Sequence, residues 1–397
     1  MLLHPFHSVL LTPGPVSLSF ATKREMLVDY AMDGRHIETE IAFCRKYLLA
    51  IANGTGIATA VPLAGSATAG NEAAIQTFMP AEGKMLIYTN GVFGDRLCTI
   101  CEIMRVPHAV LRTAPTQPIG AEALAKALAA DPGITHVMAV HCETSSGILN
   151  PIEEIADLCR RTGKRLLIDA VSSFGALPID LERLRCDALI LGGNKCLQGP
   201  PGLCWVLASR EALAACRGNA RSLTLDLWDQ WQHFEAHSSF RFTPPTHIIA
   251  AFAQALREHR DEGGQEARLQ RYTRNKRRLV EGMRALGFKP LLPDSISGPV
   301  VATLIPPSST HFDPVEFCRH LTENGFQISL RRTAVANTLR IGCIGELDDD
   351  HINAALVAIR RVMGDLGRAG WQKNRSTRPS TPIEEVNTVA AQSLRNL

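Results

Sequence analysis

Two ionisable side chains, each following an apolar run, are the residues of this sequence best placed to do chemistry. Lys195 lies in GGNKCLQGPPG, directly behind the stretch DALIL and inside a glycine-rich turn that lets backbone approach a ligand closely. Desolvation in such a turn lowers the pKa of an amine and lets it trap a carbonyl. Taken alone, Lys195 reads as a solvated turn lysine. Asp169 ends the apolar part of RLLIDAVSS, where an acid is either a helix cap or the partner of a buried cation. The runs carrying Asp169 and Lys195 are successive strand candidates, so both side chains fall at the carboxyl edge of one sheet. Together they favour a bound group that needs both an amine and a carboxylate.

Pyridoxal phosphate is such a group. A lysine holds its aldehyde, and an aspartate faces the protonated pyridine nitrogen, which makes the ring an electron sink. Its phosphate needs a cradle. AGSATAGNEAAIQTFM sets Gly65-Ser66-Ala67-Thr68 immediately before an amphipathic helix. Free N–H groups and the helix dipole bind an anion there; the same residues also read as a plain N-cap. Phe93, in TNGVFGDR, follows another strand end and reads as a stacking ring or as core. Other chemistries find less support. NGTGIATA contains GxG without the rest of GxGxxG and follows a helical segment. No spacing suits a metal, and no nucleophile elbow occurs. Cys98 and Cys101 form a CxxC, but their segment reads as one helix face rather than a redox pair.

These residues require a scaffold that gathers strand ends. Between about residues 53 and 210, short apolar runs (KMLIYTNG, THVMAVH, RLLIDAVSS, DALILGGNK, GLCWVLAS) alternate with helical segments such as AEALAKALAA and PIEEIADLCRRTGK. That alternation predicts an α/β fold, a mostly parallel sheet covered by helices, with ligands beyond the carboxyl ends of its strands. After about residue 246 the texture changes. A long, strongly charged helical stretch covers 251–287, and mixed strand and helix signals follow: GPVVATLIPP, FDPVEFCRHLTENG, FQISL, TLRIGCIG and DDDHINAALVAIRRVMGDLG. The expected organisation is an N-terminal segment (1–20), a large cofactor-binding domain (21–260), a smaller α+β domain (261–367) and a flexible tail (368–397). The chain of 397 residues has room for this.

Composition narrows the partners. Lys+Arg number 42 against 39 Asp+Glu with no long basic block, so neither nucleic acid nor a membrane surface is expected. The 11 cysteines are scattered through apolar and helical segments, which implies reduced thiols and a cytoplasmic setting. The apolar start, MLLHPFHSVLLTPGPV, is interrupted by prolines and histidines short of a signal-peptide core, and no apolar run is long enough to span a bilayer.

In this order the residues resemble fold-type-I pyridoxal-phosphate enzymes, and among them the class V aminotransferases, nearest to those that act on 2-aminoethylphosphonate and pyruvate. The likeness runs from LTPGPVS through ETSSGILNPI, DAVSSFGALPID, GNKCLQGPPG and RSLTLDLWDQW to RFTPPTH, QRYTRNKRRLVEGMRALGF and LRIGCIGE, and is most specific over residues 143–247. It implies that Lys195 carries the cofactor as a Schiff base and that Asp169 faces the pyridine nitrogen. It makes Phe93 the stacking residue, Thr144 a donor to the ring hydroxyl, and Ser66, Ala67 and Thr68 the phosphate cup. Thr243 would reach the phosphate of the neighbouring subunit, implying a homodimer, and Arg340 would clamp the substrate carboxylate. The implied reaction converts 2-aminoethylphosphonate and pyruvate to phosphonoacetaldehyde and L-alanine by a ping-pong cycle.

The chain departs from the family in two places. Ser329-Leu330-Arg331-Arg332 replaces the usual tyrosine-proline-glycine-lysine turn, and DYAMDGRHIE replaces a more acidic, aromatic stretch. Arg331 and Arg332 read as added charge for a phosphonate or as a solvated basic turn. The competing donors are another aminophosphonate, or alanine or serine with glyoxylate. A cofactor-binding regulator without turnover is the alternative from a different class.

Overall fold

The structure, a computed structural model, describes residues 8–32, 34–307, 312–328, 334–335 and 337–368. Each of the five apolar runs expected as strands in the first half forms one, and two further strands flank them. The seven-stranded sheet has the spatial order Ala58–Ala64, Leu203–Ser209, Ala188–Gly192, Arg165–Asp169, His136–Val140, Met85–Thr89, His108–Arg112. Leu203–Ser209 runs antiparallel to both neighbours; all other pairings are parallel.

Strand side chains alternate between two cores, as the period of two demands. In His136–Val140, Val137 and Ala139 join one apolar cluster, whereas Met138 and Val140 join the other. The first cluster packs under helices Arg35–Ile51, Ala121–Ala130, Ile152–Arg161 and Thr246–Asp261; the second packs under Ala67–Phe78 and Val92–Ile103. Cys98 and Cys101 sit on Val92–Ile103 as buried core thiols, and all eleven cysteines are buried and free. No described helix is long and apolar enough to cross a membrane.

The charged stretch expected as one helix over 251–287 is two. Thr246–Asp261 and Gly264–Arg284 are separated by Glu262 and Gly263, and the φ values of 111° at Gly263 and 72° at Gly264 lie in the left-handed region. Paired glycines make this left-handed corner inexpensive. The second helix packs with Pro314–Glu323 and Asp349–Arg368 against a three-stranded antiparallel sheet of Lys289–Pro290, Val301–Ile305 and Leu339–Gly342. Val9–Leu11, near the start of the chain, pairs in parallel with Phe326–Ile328, so the N-terminal segment is stitched to this C-terminal core. It then crosses Leu339–Gly342 so closely that a Cβ on Gly342 would fall on the Thr12 backbone.

That crossing generates a prediction. Gly342→Ala forces backbone apart rather than a flexible side chain, a cost of about 1–3 kcal/mol. Thermal denaturation should show a midpoint lower by a few degrees, and limited proteolysis should cut before residue 20 more readily than in wild type. An unchanged midpoint and cleavage pattern would show that Thr12 can shift freely.

Candidate active site

The carboxyl ends of the parallel strands open into one cavity of about 900 Å³, a volume suited to a small-molecule ligand. Each strand delivers a residue on leaving the sheet. Arg165–Asp169 ends in Asp169, and Lys195 stands three residues beyond Ala188–Gly192. Thr144 follows His136–Val140, and Phe93 lies in the first turn of the helix after Met85–Thr89. Ser66, Ala67 and Thr68 open the helix that follows Ala58–Ala64. Arg340 enters from the C-terminal sheet, and Pro13 and Gly14 from the N-terminal segment.

The charges here are held out of water. Lys195 Nζ donates to the Pro13 carbonyl at 2.9 Å, and a side chain on Gly14 would overlap the lysine. Burial brings the Lys195 ammonium down to about 8; Arg340 pushes the same way, whereas Cys196 and Asp169 oppose. Asp169 accepts from Asn71 Nδ2 at 2.8 Å and from the Val171 N–H at 3.0 Å. Burial pushes its carboxyl up despite these donors. A buried acid so placed gains from a cationic group in the cavity.

Glu143, fully buried one residue before Thr144, plays a supporting part that the sequence reading overlooked. Its Oε2 accepts from the N–H groups of Phe93 (3.0 Å) and Gly94 (3.2 Å), and its Oε1 from the N–H (3.0 Å) and hydroxyl of Ser145. Burial pushes this carboxyl up too, opposed by those donors. It thereby caps, from fifty residues away, the helix carrying Phe93, which has no side-chain cap of its own. Arg340, itself buried, donates from Nη1 to the Thr144 carbonyl at 2.6 Å. Two more residues were missed. Asn71 sits one turn beyond Ala67 on the same helix. Arg96, one turn beyond Phe93, donates to Thr68 Oγ1 at 3.1 Å and lies 4.9 Å from the Phe93 ring centroid. Both spacings were legible once the helices were drawn.

The cavity suits pyridoxal phosphate on its own evidence. Thr144 Oγ1 and Asn71 Oδ1 are buried without partners among the described residues, which marks them for a ligand. Helix Ala67–Phe78 starts at Ser66 without a side-chain cap, leaving its N-terminus to an anion. Among the described residues no cluster of three or more His, Cys, Asp or Glu is placed to hold a metal. Thr243 is exposed and does not line the cavity of its own chain. Arg331 and Arg332 lie outside the described residues.

A profile of the family "Aminotransferase class-V" matches residues 63–299. The chain belongs to the class V aminotransferase family. A 2-aminoethylphosphonate–pyruvate transaminase of Pseudomonas putida (strain GB-1) is 43% identical over 358 residues, which cover 90% of this chain and 97% of the relative. The enzyme of the same name from Pseudomonas aeruginosa PAO1 is 42% identical over 359 residues, 90% and 96% of the two chains. Among solved structures, pyridoxamine–pyruvate aminotransferase of Mesorhizobium loti superposes with a TM-score of 0.83 at 26% identity, covering 92% of this chain and 95% of that one. Alanine–glyoxylate aminotransferase of Nostoc sp. gives 0.84 at 23% identity, covering 91% and 98%, a likeness of fold. This class V aminotransferase thus shares both the α/β sheet and nearly the full length of its relatives.

The low Lys195 pKa can be measured directly in the cofactor-free protein. Because the amine is depressed, it should lose its proton near pH 8 rather than near 10.5. Acetic anhydride labelling of the Lys195 peptide, followed by mass spectrometry, should therefore rise through a midpoint about two units below that of surface lysines. The unfolded chain binds the extra proton between these values, so folding stability contributed by this group rises with pH across that window. A Lys195 midpoint equal to that of surface lysines would contradict the burial seen here.

Proposed function

We propose that this aminotransferase uses pyridoxal phosphate to move the amino group of 2-aminoethylphosphonate to pyruvate, giving phosphonoacetaldehyde and L-alanine. The observation that carries the reading is the meeting of half-buried Lys195 and buried Asp169, just beyond and at the ends of neighbouring strands, with Arg340 in the same cavity. Identity over nearly the whole length of the two Pseudomonas transaminases supports the choice of substrates.

When bound, the cofactor supplies an electron sink for the carbanion left as the substrate carbon loses its proton. The protein's own groups do the rest. Asp169 keeps a positive charge on the ring nitrogen, with Asn71 orienting its carboxylate. Ser66, Ala67 and Thr68 would receive the phosphate at the helix N-terminus, Phe93 would stack on the ring, and Thr144 Oγ1 would donate to the ring hydroxyl. Lys195 holds the aldehyde at rest. Freed from that bond, its amine would carry the proton between the substrate carbon and the cofactor carbon, a task suited to an amine near neutral pKa. Arg340 holds the substrate anion, phosphonate in one half-reaction and carboxylate in the other, with a fork that fits either. The buried, unpaired thiols support a cytoplasmic setting. The exposure of Thr243 supports its use by a second subunit, and hence a homodimer.

Two measurements check this. Borohydride should fix the cofactor on Lys195 alone, and either 2-aminoethylphosphonate or L-alanine should by itself convert the cofactor absorbance to that of the amine form, with Lys195→Ala converting neither. Label on another lysine, or conversion by alanine but not by the phosphonate, would overturn the assignment or the donor respectively. In hybrids of a Lys195→Ala subunit with a Thr243→Arg subunit, one intact site per dimer should restore up to half the wild-type turnover. Full activity of a monomer would remove Thr243 from the site.

A further inference from the structure

The turn that carries Lys195 contains a residue in an unfavourable backbone conformation. Gln198 has φ 56°, a left-handed geometry that glycine adopts without strain and a branched or long side chain does not. Its N–H closes the turn onto the Lys195 carbonyl at 2.9 Å. It is 2% exposed, and its side chain points away from the cavity into a polar network. Gln198 Oε1 accepts from Arg271 Nη2 at 2.6 Å and from the Tyr272 hydroxyl at 2.9 Å, while Nε2 donates to Glu346 Oε2 at 3.0 Å. Both ends of the amide are therefore used, which also settles its orientation.

The partners explain the choice of glutamine where the backbone suits glycine. Arg271 also donates to the carbonyls of Gly345 (2.8 Å) and Leu347 (2.9 Å), and is held by Glu262. Those carbonyls belong to the turn that directly follows Leu339–Gly342, the strand of Arg340. The same turn grips the N-terminal segment, because the Glu346 N–H donates to the Ser17 carbonyl at 2.9 Å. The side chain of Gln198 is thus a strut between the Lys195 turn of the central sheet and the turn after the Arg340 strand of the C-terminal sheet, beside the Tyr272 hydroxyl, which bridges the Cys196 carbonyl and the Gly345 N–H. Strain retained beside a functional group is informative when an alternative residue would relieve it.

We propose that Gln198 is a positioning residue, joining the Lys195 turn to the turn after the Arg340 strand so that amine and guanidinium keep a fixed spacing. It touches neither substrate nor cofactor. Its role in turnover rests on the function proposed above, but its hold on Lys195 does not.

The test uses Gln198→Gly, which suits the backbone, Glu346→Ala, which removes an exposed partner, and the double variant. In the cofactor-free full chain, acetic anhydride labelling should show the Lys195 midpoint of Gln198→Gly rising by at least half a unit from about 8 toward 10.5, as water reaches a loosened turn. In the loaded enzyme, kcat should fall about tenfold or more in both half-reactions, with KM changed less than twofold. Glu346→Ala should act in the same direction, and the double variant should be no worse than Gln198→Gly, since both cut one strut. Wild-type midpoint and kcat in Gln198→Gly would overturn the proposal, because relief of the backbone alone predicts a protein at least as good. Additive losses in the double variant would overturn it too. Failure of wild type to form a borohydride-fixed adduct would sink the cofactor reading alone, while the labelling midpoint would still decide the role of Gln198.

Discussion

Burial of two titratable groups at the ends of adjacent parallel strands is the constraint around which this molecule is arranged. Lys195 and Asp169 are each pushed toward neutrality by desolvation, the amine down and the carboxyl up. Neither shift would survive an open cleft, because water would restore the ordinary values. The surrounding architecture leaves Asp169 buried and Lys195 only partly exposed. The cavity floor is the carboxyl edge of the sheet, and its other walls come from distant parts of the chain: the Pro13–Gly14 segment and the strand carrying Arg340. The site exists only where all three meet.

Burial of so many polar groups demands satisfaction elsewhere. The Glu143 carboxylate is received by backbone N–H groups, two of them at a helix start, and by one hydroxyl. In doing so it ties Phe93 to the loop of Thr144, so residues fifty positions apart move as one piece. The fully buried Arg268 is handled differently. It pairs with Glu262 at 2.6 Å and donates to the Cys196 carbonyl at 2.7 Å, holding the backbone next to Lys195. Removing one partner of such a pair costs far more than the pair itself contributes. Thr144 Oγ1 and Asn71 Oδ1, which are among the buried polar atoms without partners in the described residues, belong to side chains that line the cavity.

The cavity draws its lining from two separate sheets. Strand ends provide groups suited to a cofactor, rigid because each is anchored in the sheet. Arg340 enters the same cavity from a separate antiparallel sheet, where its neighbour across the pairing is Thr303. The departures from the family pattern, at 329–332 and near residue 30, fall outside the strands that build the cofactor end.

The sequence alone determined the parallel-sheet core and the residues at its edge. An apolar run followed by a lysine, an acid or a glycine-rich turn has one place to go in an α/β sheet. Strand signals failed at the edges: Ala58–Ala64 contains Pro62, which an edge strand tolerates, and His108–Arg112 is only half buried. The long charged stretch looked like one helix because charge patterning masks the left-handed corner at Gly263–Gly264. Glu143 was readable by the argument that found Asp169, an acid closely following a buried strand, but nothing local distinguished a cap for a remote helix from a surface acid. Only the tertiary structure decided that Pro13 would meet Lys195, that Gln198 would join two sheets, and that Arg340 would share a cavity with residues 145 to 274 positions away. Those contacts arise from packing between segments far apart in the chain, and periodicity and spacing report only on neighbours.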